Sequence, residues 1–105
     1  MSQFVVYKNT DKNTSDAYPY FIDLQCDFLS GLNSRLVAPL TPAYLLVNKA
    51  PSHLCPIIKL QDEQFVVLTH QMASVPSKLL SQAIADMSEH RDEFVGAIDF
   101  LITGI

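Results

Sequence analysis

The sequence predicts an α+β fold in which several antiparallel strands are followed by one C-terminal helix. Short β-branched, aromatic or apolar runs alternate with polar or proline-containing connections through most of the chain. Near the C-terminus the apolar residues recur instead at every third or fourth position, which is the period of a helix packed on one side. A chain of 105 residues suits one domain and is too short for two, so we expect residues 1–105 to fold together.

The first part of the chain predicts three strands. Residues 3–8 are β-branched and aromatic, residues 18–25 alternate apolar and polar side chains, and residues 35–40 are mostly apolar. Between the first two strands, the polar residues 9–16 predict a hairpin loop. Residues 30–33, which include a glycine and an asparagine, predict a turn before the third strand.

The middle of the chain predicts an irregular connection and then a hairpin. Residues 41–56 contain three prolines and could hold a short helix at residues 44–46. Residues 57–60 and 65–70 predict two further strands, joined by a polar turn at residues 61–64.

The C-terminal region predicts a short strand at residues 72–75 and then the helix. The apolar stripe of this helix consists of Phe94, Val95, Ile98, Leu101, Ile102 and Ile105. Asp86 and Glu89 have the spacing of a capping box at a helix start. Gly104 is a typical helix stop.

Composition argues against direct nucleic-acid binding. Acidic residues outnumber basic ones by 11 to 7, the formal net charge is −4, and the lysines and arginines are scattered singly. A protein that binds phosphates through its surface usually carries a basic stripe. A protein partner or a small ligand fits this composition better.

No motif for catalysis or metal binding stands out. The candidate bases and thiols are His53, His70, His90, Cys26 and Cys55, and none lies in a recognisable catalytic or ligand spacing. We therefore expect no catalytic residues, no metal and no cofactor. With no signal-peptide pattern and no apolar run long enough to cross a bilayer, we expect a reduced, cytoplasmic protein.

The end of the chain is unusually apolar. Residues 100–105 are mostly hydrophobic, whereas chain ends are normally polar and frayed. Two interpretations remain open at this point. The end packs onto the chain's own sheet, or it forms a surface for a second subunit or another partner.

Several stretches resemble the CcdB toxins of toxin–antitoxin modules. Residues 21–25 read Phe-Ile-Asp-Leu-Gln and are followed by Asp27, like a strand of that family. Residues 72–76 read Met-Ala-Ser-Val-Pro, the most specific match, and residues 35–37 and 104–105 also agree. The matches follow the family's order along essentially the whole chain.

The resemblance implies both a fold and a function. The fold is an antiparallel SH3-like toxin barrel with a small extra sheet and a C-terminal helix, assembled as a homodimer with the helices near the two-fold axis. CcdB toxins bind the A subunit of DNA gyrase and trap its cleaved-DNA complex without catalysis of their own. The CcdA antitoxin wraps the toxin, releases gyrase and joins the toxin in repressing their operon, so operator DNA is reached only through the antitoxin complex.

The resemblance also implies which residues meet these partners. Gyrase contacts map onto Cys26, Phe28, Leu29, Asp99, Thr103, Gly104 and Ile105. Antitoxin contacts map onto Lys8, Asn9, Leu45, Leu46 and Asn48, beside a 9–18 loop that is longer than in the plasmid-borne type. Here Phe28 and Leu29 replace an Ile-Ile pair, Asp99 replaces Asn, and Thr103 replaces Trp.

Two alternative functions remain open. A MazF-type endoribonuclease shares the fold but needs arginines around the scissile phosphate, and this chain has only Arg35 and Arg91. A CcdB relative that binds its antitoxin but poisons gyrase poorly is the other alternative, because Thr103 stands where the plasmid-borne type has Trp.

Overall fold

The structure, a computed structural model, describes residues 2–46 and 51–104. Its strands are β1 (Val5–Lys8), β2 (Tyr20–Asp23), β3 (Ser34–Pro42), β4 (Ile57–Leu60), β5 (Glu63–Val67), β6 (Ala73–Pro76) and β7 (Ala83–Asp86). The helix α1 spans Arg91–Thr103, and short 3-10 helices occupy Asp27–Leu29, Ala43–Leu46, Thr69–Gln71, Ser77–Leu79 and Ser88–His90. The predicted α+β fold class, with strands first and the helix last, is confirmed.

The strands form one curled antiparallel sheet. Its main order is β4-β5-β3-β2-β1-β7, and β6 lies off this path beside the first half of β3. The nine-residue β3 is the centre of the sheet. One edge of it pairs with β2, while the other pairs first with β6 and then with β5. Because a single strand serves three partners, the sheet bends into a half-barrel.

The main core lies between the sheet and the first half of α1. The register places Val6 opposite Ile22 and Ile22 opposite Ala38, so all three side chains point to the same face of the sheet. From the helix, Phe94 is fully buried against this face, with its ring centroid 5.4 Å from that of Phe4. The other buried members of this cluster are Leu24, Leu40, Ile58, Leu60, Phe65 and Val67.

Two smaller buried clusters complete the packing. One consists of Tyr7, Val37 and Leu80 with neighbouring half-buried side chains. Alternation along β1 places Tyr7 on the opposite face from Val6, so both faces of this strand are covered. The other cluster, Cys55, Val66 and Leu68, lies beneath the connection that precedes β4.

The hairpin of β4 and β5 differs from the sequence prediction. The turn is only Gln61 and Asp62, both at positive φ (52° and 67°), so β5 begins at Glu63. Positive φ at both central residues is the geometry of the tight turn that matches strand twist. The predicted extension of the strand to His70 is wrong, because Thr69–Gln71 forms a 3-10 helix.

The start of the helix also differs from the prediction. The capping box of Asp86 and Glu89 is wrong, because α1 begins at Arg91 and its first turn has no side-chain cap. Asp86 instead ends β7, which the sequence pattern missed, and its Oδ1 accepts a 2.8 Å hydrogen bond from the Ser88 N–H. This bond, with a second from the Ser88 hydroxyl, lowers the pKa of Asp86. The predicted stop is confirmed: Gly104 has φ 73° and its N–H bonds the Phe100 carbonyl.

Candidate partner-binding surface

The β2–β3 turn (residues 24–33) holds apolar side chains in solvent. Its 3-10 helix, Asp27–Leu29, contains no buried residue. Phe28 is 96% exposed, and Leu29 and Leu32 are about half exposed. Single exposed apolar residues are common, but three large ones on one short turn form a patch of the kind that marks interaction sites.

A buried ion pair lies at the base of this turn. Asp23, the last residue of β2, and Arg35, near the start of β3, are both fully buried. The Arg35 Nε donates to Asp23 Oδ2 at 2.8 Å, and its Nη2 lies 2.7 Å from the same oxygen. Burial raises the pKa of Asp23, although the hydrogen bonds from Arg35 and from the Gln25 backbone act in the opposite direction. The pair fixes the distance between the two ends of the turn.

The turn is also tied to the start of the chain. Asp27 accepts a 2.9 Å hydrogen bond from the Gln3 N–H through Oδ1, and the Gln3 side chain donates to the Leu24 carbonyl at 3.1 Å. Cys26 precedes the 3-10 helix in extended conformation, and its thiol is exposed. Three residues assigned to gyrase by the resemblance therefore share one fixed turn: Cys26, Phe28 and Leu29.

The second group of assigned residues lies at the helix end (residues 99–104). Asp99, Thr103 and Gly104 are exposed there, while Ile105 lies outside the described residues. The Thr103 hydroxyl donates to the Asp99 carbonyl at 2.7 Å, so it is engaged with its own helix. Ile102, which belongs to both the apolar stripe and the apolar chain end, is 71% exposed.

Each group has its own neighbours. The β2–β3 turn is held by Gln3 and by the buried ion pair, whereas α1 packs against the 3-10 helices Thr69–Gln71 and Ser88–His90. The sequence reasoning missed Leu32 as an exposed apolar residue, although a leucine beside a glycine turn could have indicated it. The exposure of Ile102 agrees with one of the two interpretations of the apolar chain end, a surface for a second subunit or another partner.

The predicted antitoxin residues fall into exposed and buried positions. Lys8 is exposed, Leu45 is about half exposed, and Leu46 is partly buried. Asn9 is buried: its Nδ2 donates to the Tyr18 carbonyl at 2.7 Å, and its Oδ1 accepts from the Asp11 N–H at 2.9 Å. Asn9 therefore shapes the 9–18 loop from inside. Asn48 lies outside the described residues.

Among the candidate bases and thiols, Cys55 and His70 lie close together. The Cys55 Sγ lies 3.7 Å from the His70 Nδ1 beside a cavity of about 330 Å³. Burial raises the pKa of the Cys55 thiol, which opposes formation of the nucleophilic thiolate. His90 contacts Glu93 on the surface at 3.0 Å. Within residues 2–46 and 51–104, no three side chains of metal-binding type cluster together.

The fold and the surface together define a small α+β protein that exposes apolar side chains to solvent. A family model described as CcdB protein matches residues 3–104 of the chain. The chain therefore belongs to the CcdB family, as its sequence resemblance predicted, and is a toxin of a toxin–antitoxin system. In the described part of the chain, α1 and the shorter helices all lack the length and apolar content of a membrane span.

Proposed function

We propose that the protein binds the A subunit of DNA gyrase and stabilises the complex in which gyrase has cleaved DNA, with no catalysis of its own. CcdB-family membership supports a toxin, and one observation favours a protein target for it. Phe28 and Leu29, two apolar residues that the resemblance assigns to gyrase, stand in solvent, with Phe28 96% exposed. An aromatic side chain kept out of the core in this way is typical of an interface anchor.

The energetics of burial agree with this role. Covering one large apolar side chain contributes about 1.5–3 kcal/mol. Phe28 and Leu29 are both available for such covering. Asp99 adds one negative charge on the helix, which would select for a partner surface that is locally basic.

The positions of the two arginines weigh against the MazF-type endoribonuclease. Arg35 is fully buried in its pair with Asp23 and cannot approach a phosphate without breaking that pair. Arg91 is on the surface, with its Nη1 3.9 Å from the Asp92 carboxylate. RNA cleavage would therefore have at most one accessible arginine, next to a negative charge, for the developing charge at phosphorus.

Thr103 supports a second candidate function within the same family. A side chain whose hydroxyl bonds the helix carbonyl of Asp99 offers little contact area and cannot stack on an arginine as Trp can. A toxin that binds its antitoxin but poisons gyrase poorly would carry such a residue. The two candidates differ in the strength of gyrase poisoning, which can be measured.

The assembly we propose is a homodimer formed through the helix stripe and the apolar chain end. Leu101 and Ile102 are exposed in one copy of the chain, and a two-fold axis would cover them with the same residues of the second copy. Sedimentation should show a dimer at micromolar concentration, and a stable monomer there would contradict this assembly.

The antitoxin we propose is a CcdA-like chain with a disordered, acidic segment that folds over the toxin. Lys8 precedes the 9–18 loop and Lys12 lies within it, both as exposed positive charges, and Leu45 offers an exposed apolar contact. Together the two proteins would repress their operon. Because gyrase and the operon are cytoplasmic, we place the toxin in the cytoplasm.

The test is a gyrase cleavage reaction. The protein is incubated with gyrase, ATP and supercoiled plasmid, and gyrase is then denatured. We expect linear DNA with gyrase and none without it. Degradation of RNA by the toxin alone would instead identify the endoribonuclease. Antitoxin binding without any linear DNA would identify the weak relative.

A further inference from the structure

The side chain of Gln25 spans the β2–β3 turn. Its Oε1 accepts a hydrogen bond from the Leu36 N–H on β3 at 3.0 Å, and its Nε2 donates to the Leu29 carbonyl at 3.0 Å. One end of the amide is thus anchored in the sheet and the other in the 3-10 helix. The side chain therefore links the sheet to the 3-10 helix.

This link lies where it does because β2 ends just before Gln25. Leu24 still donates to the Leu36 carbonyl at 2.8 Å, but the neighbouring Leu36 N–H points to the same side, where β2 has ended. A backbone N–H in a partly covered position needs an acceptor. The Gln25 amide supplies that acceptor in place of a strand carbonyl.

The backbone of Gln25 is fixed as well. Its N–H donates to Asp23 Oδ1 at 3.0 Å, and its carbonyl accepts from Arg35 Nη2 at 3.2 Å. Every type of polar group in Gln25 is therefore hydrogen-bonded, and two of its four partners belong to the buried ion pair. Such complete bonding is unusual for a loop residue and restricts the loop strongly.

The turn that this residue restricts is the one that carries Phe28 into solvent. A loose turn would let Phe28 fold back onto nearby apolar surface, and a partner would have to order it again on binding. A fixed turn avoids that ordering cost and so strengthens binding. We propose that Gln25 is a positioning residue that holds Phe28 and Leu29 in the conformation that gyrase binds. This inference rests on the proposed gyrase function.

The test compares Gln25→Met with a matched control. Met fills a similar volume without either side-chain hydrogen bond, and Gln64→Met makes the same change at an exposed position of β5. Binding to a fragment of the gyrase A subunit that contains its dimerisation region is measured for each dimeric variant. We expect Gln25→Met to bind about tenfold more weakly, which corresponds to the loss of one or two hydrogen bonds, and Gln64→Met to bind like the unaltered protein.

Gln25→Glu tests the two side-chain hydrogen bonds of Gln25 separately. It keeps the acceptor for the Leu36 N–H but sets a carboxylate against the Leu29 carbonyl, so only the bond to the turn is lost. We expect weaker gyrase binding here too. Amide hydrogen exchange should rise at Leu29 and Ser30, whose N–H groups bond the carbonyls of Cys26 and Asp27 within the turn.

The outcomes distinguish this inference from the function on which it rests. If the unaltered protein fails to bind the gyrase fragment, the proposed function is overturned and the positioning role with it. If it binds and Gln25→Met binds equally well, only the positioning role is overturned. The same holds if sedimentation shows that Gln25→Met weakens the dimer as much as gyrase binding, since the turn would then serve assembly.

Discussion

The two halves of α1 share one apolar period but have opposite surroundings. In the first half, Phe94 and Ala97 are buried against the sheet. In the second half, Ile102 is 71% exposed and Leu101 is partly exposed. An apolar period therefore predicts which face of a helix avoids water, but not which part of that face the same chain covers.

The two halves of the helix also have different aromatic neighbours. Phe94 packs on Phe4 of the main core, whereas Phe100, nearly two turns later, has the exposed His53 as its aromatic neighbour, with ring centroids 6.2 Å apart. Of the two interpretations of the apolar end, packing onto the chain's own sheet does not fit the exposure of Leu101 and Ile102. We propose that this second half of the helix meets partners.

The largest expected effect is on stability. Phe94→Ala should lower the free energy of unfolding by about 3–5 kcal/mol, because it leaves a cavity in the main core. Ile102→Ala should change it by about 0.5 kcal/mol or less in the monomer, because the side chain is already in water. Urea denaturation of dilute protein measures both. Similar losses of unfolding free energy for the two variants would mean that the two halves of α1 do not differ in how they contribute to stability.

A smaller effect is expected from Thr103→Trp. If gyrase presents an arginine at this position, the Trp side chain should stack on it. This stacking should add about 0.5–2 kcal/mol and tighten gyrase binding by a factor of ten or so. The melting temperature should hardly move, since Thr103 is exposed. Thr10→Trp, at an exposed loop threonine, controls for unspecific adhesion of an added indole. Equal tightening by both variants would remove the support for a specific contact at the helix end.

The smallest expected effect is on the pH dependence of stability, and it concerns Asp86, in the segment that precedes α1. The Ser88 backbone N–H and hydroxyl lower the pKa of Asp86 below its ordinary 3.8, so the carboxylate favours the folded state. This stabilisation is present above pH 3.8 and is lost as the pH falls through the lowered pKa of Asp86.

The melting temperatures of the unaltered protein and Asp86→Ala should therefore differ slightly at neutral pH and converge in strong acid. Asp16→Ala, at an exposed loop aspartate, is the matched control. A difference that stays constant with pH would show that the carboxylate charge is not responsible.

Sequence patterns predicted most of the strands because these strands alternate or are strongly β-branched. They missed β7, whose sequence Ala-Ile-Ala-Asp has low strand propensity and whose described pairing is with β1 alone. They also misplaced the helix start, because Asp86 has the spacing of a capping box but bonds Ser88 at the end of a strand. Pairing across the sheet decided both cases.

The residues of the candidate surface were predictable from the sequence, but the hydrogen bonds that hold them in place were not. The family resemblance pointed to Phe28 and Leu29, yet nothing in their sequence neighbourhood indicated that Gln25 spans the turn. That role arises because β2 ends at Asp23, so that the Leu36 N–H on β3 donates to the Gln25 side chain and not to a strand carbonyl. The burial of Asn9 is similar, since it depends on the path of a loop that returns to Tyr18.

The most direct test of the proposed role of the helix end is deletion of residues 103–105. The deletion removes the exposed Thr103 and Gly104 together with Ile105, and it leaves Leu101 and Ile102 for assembly. We expect the shortened protein to keep its melting temperature, its dimer and its binding to a CcdA-like peptide, but to yield no linear DNA with gyrase, ATP and plasmid. If it traps cleaved gyrase as efficiently as the intact protein, the helix end is not the gyrase-binding surface.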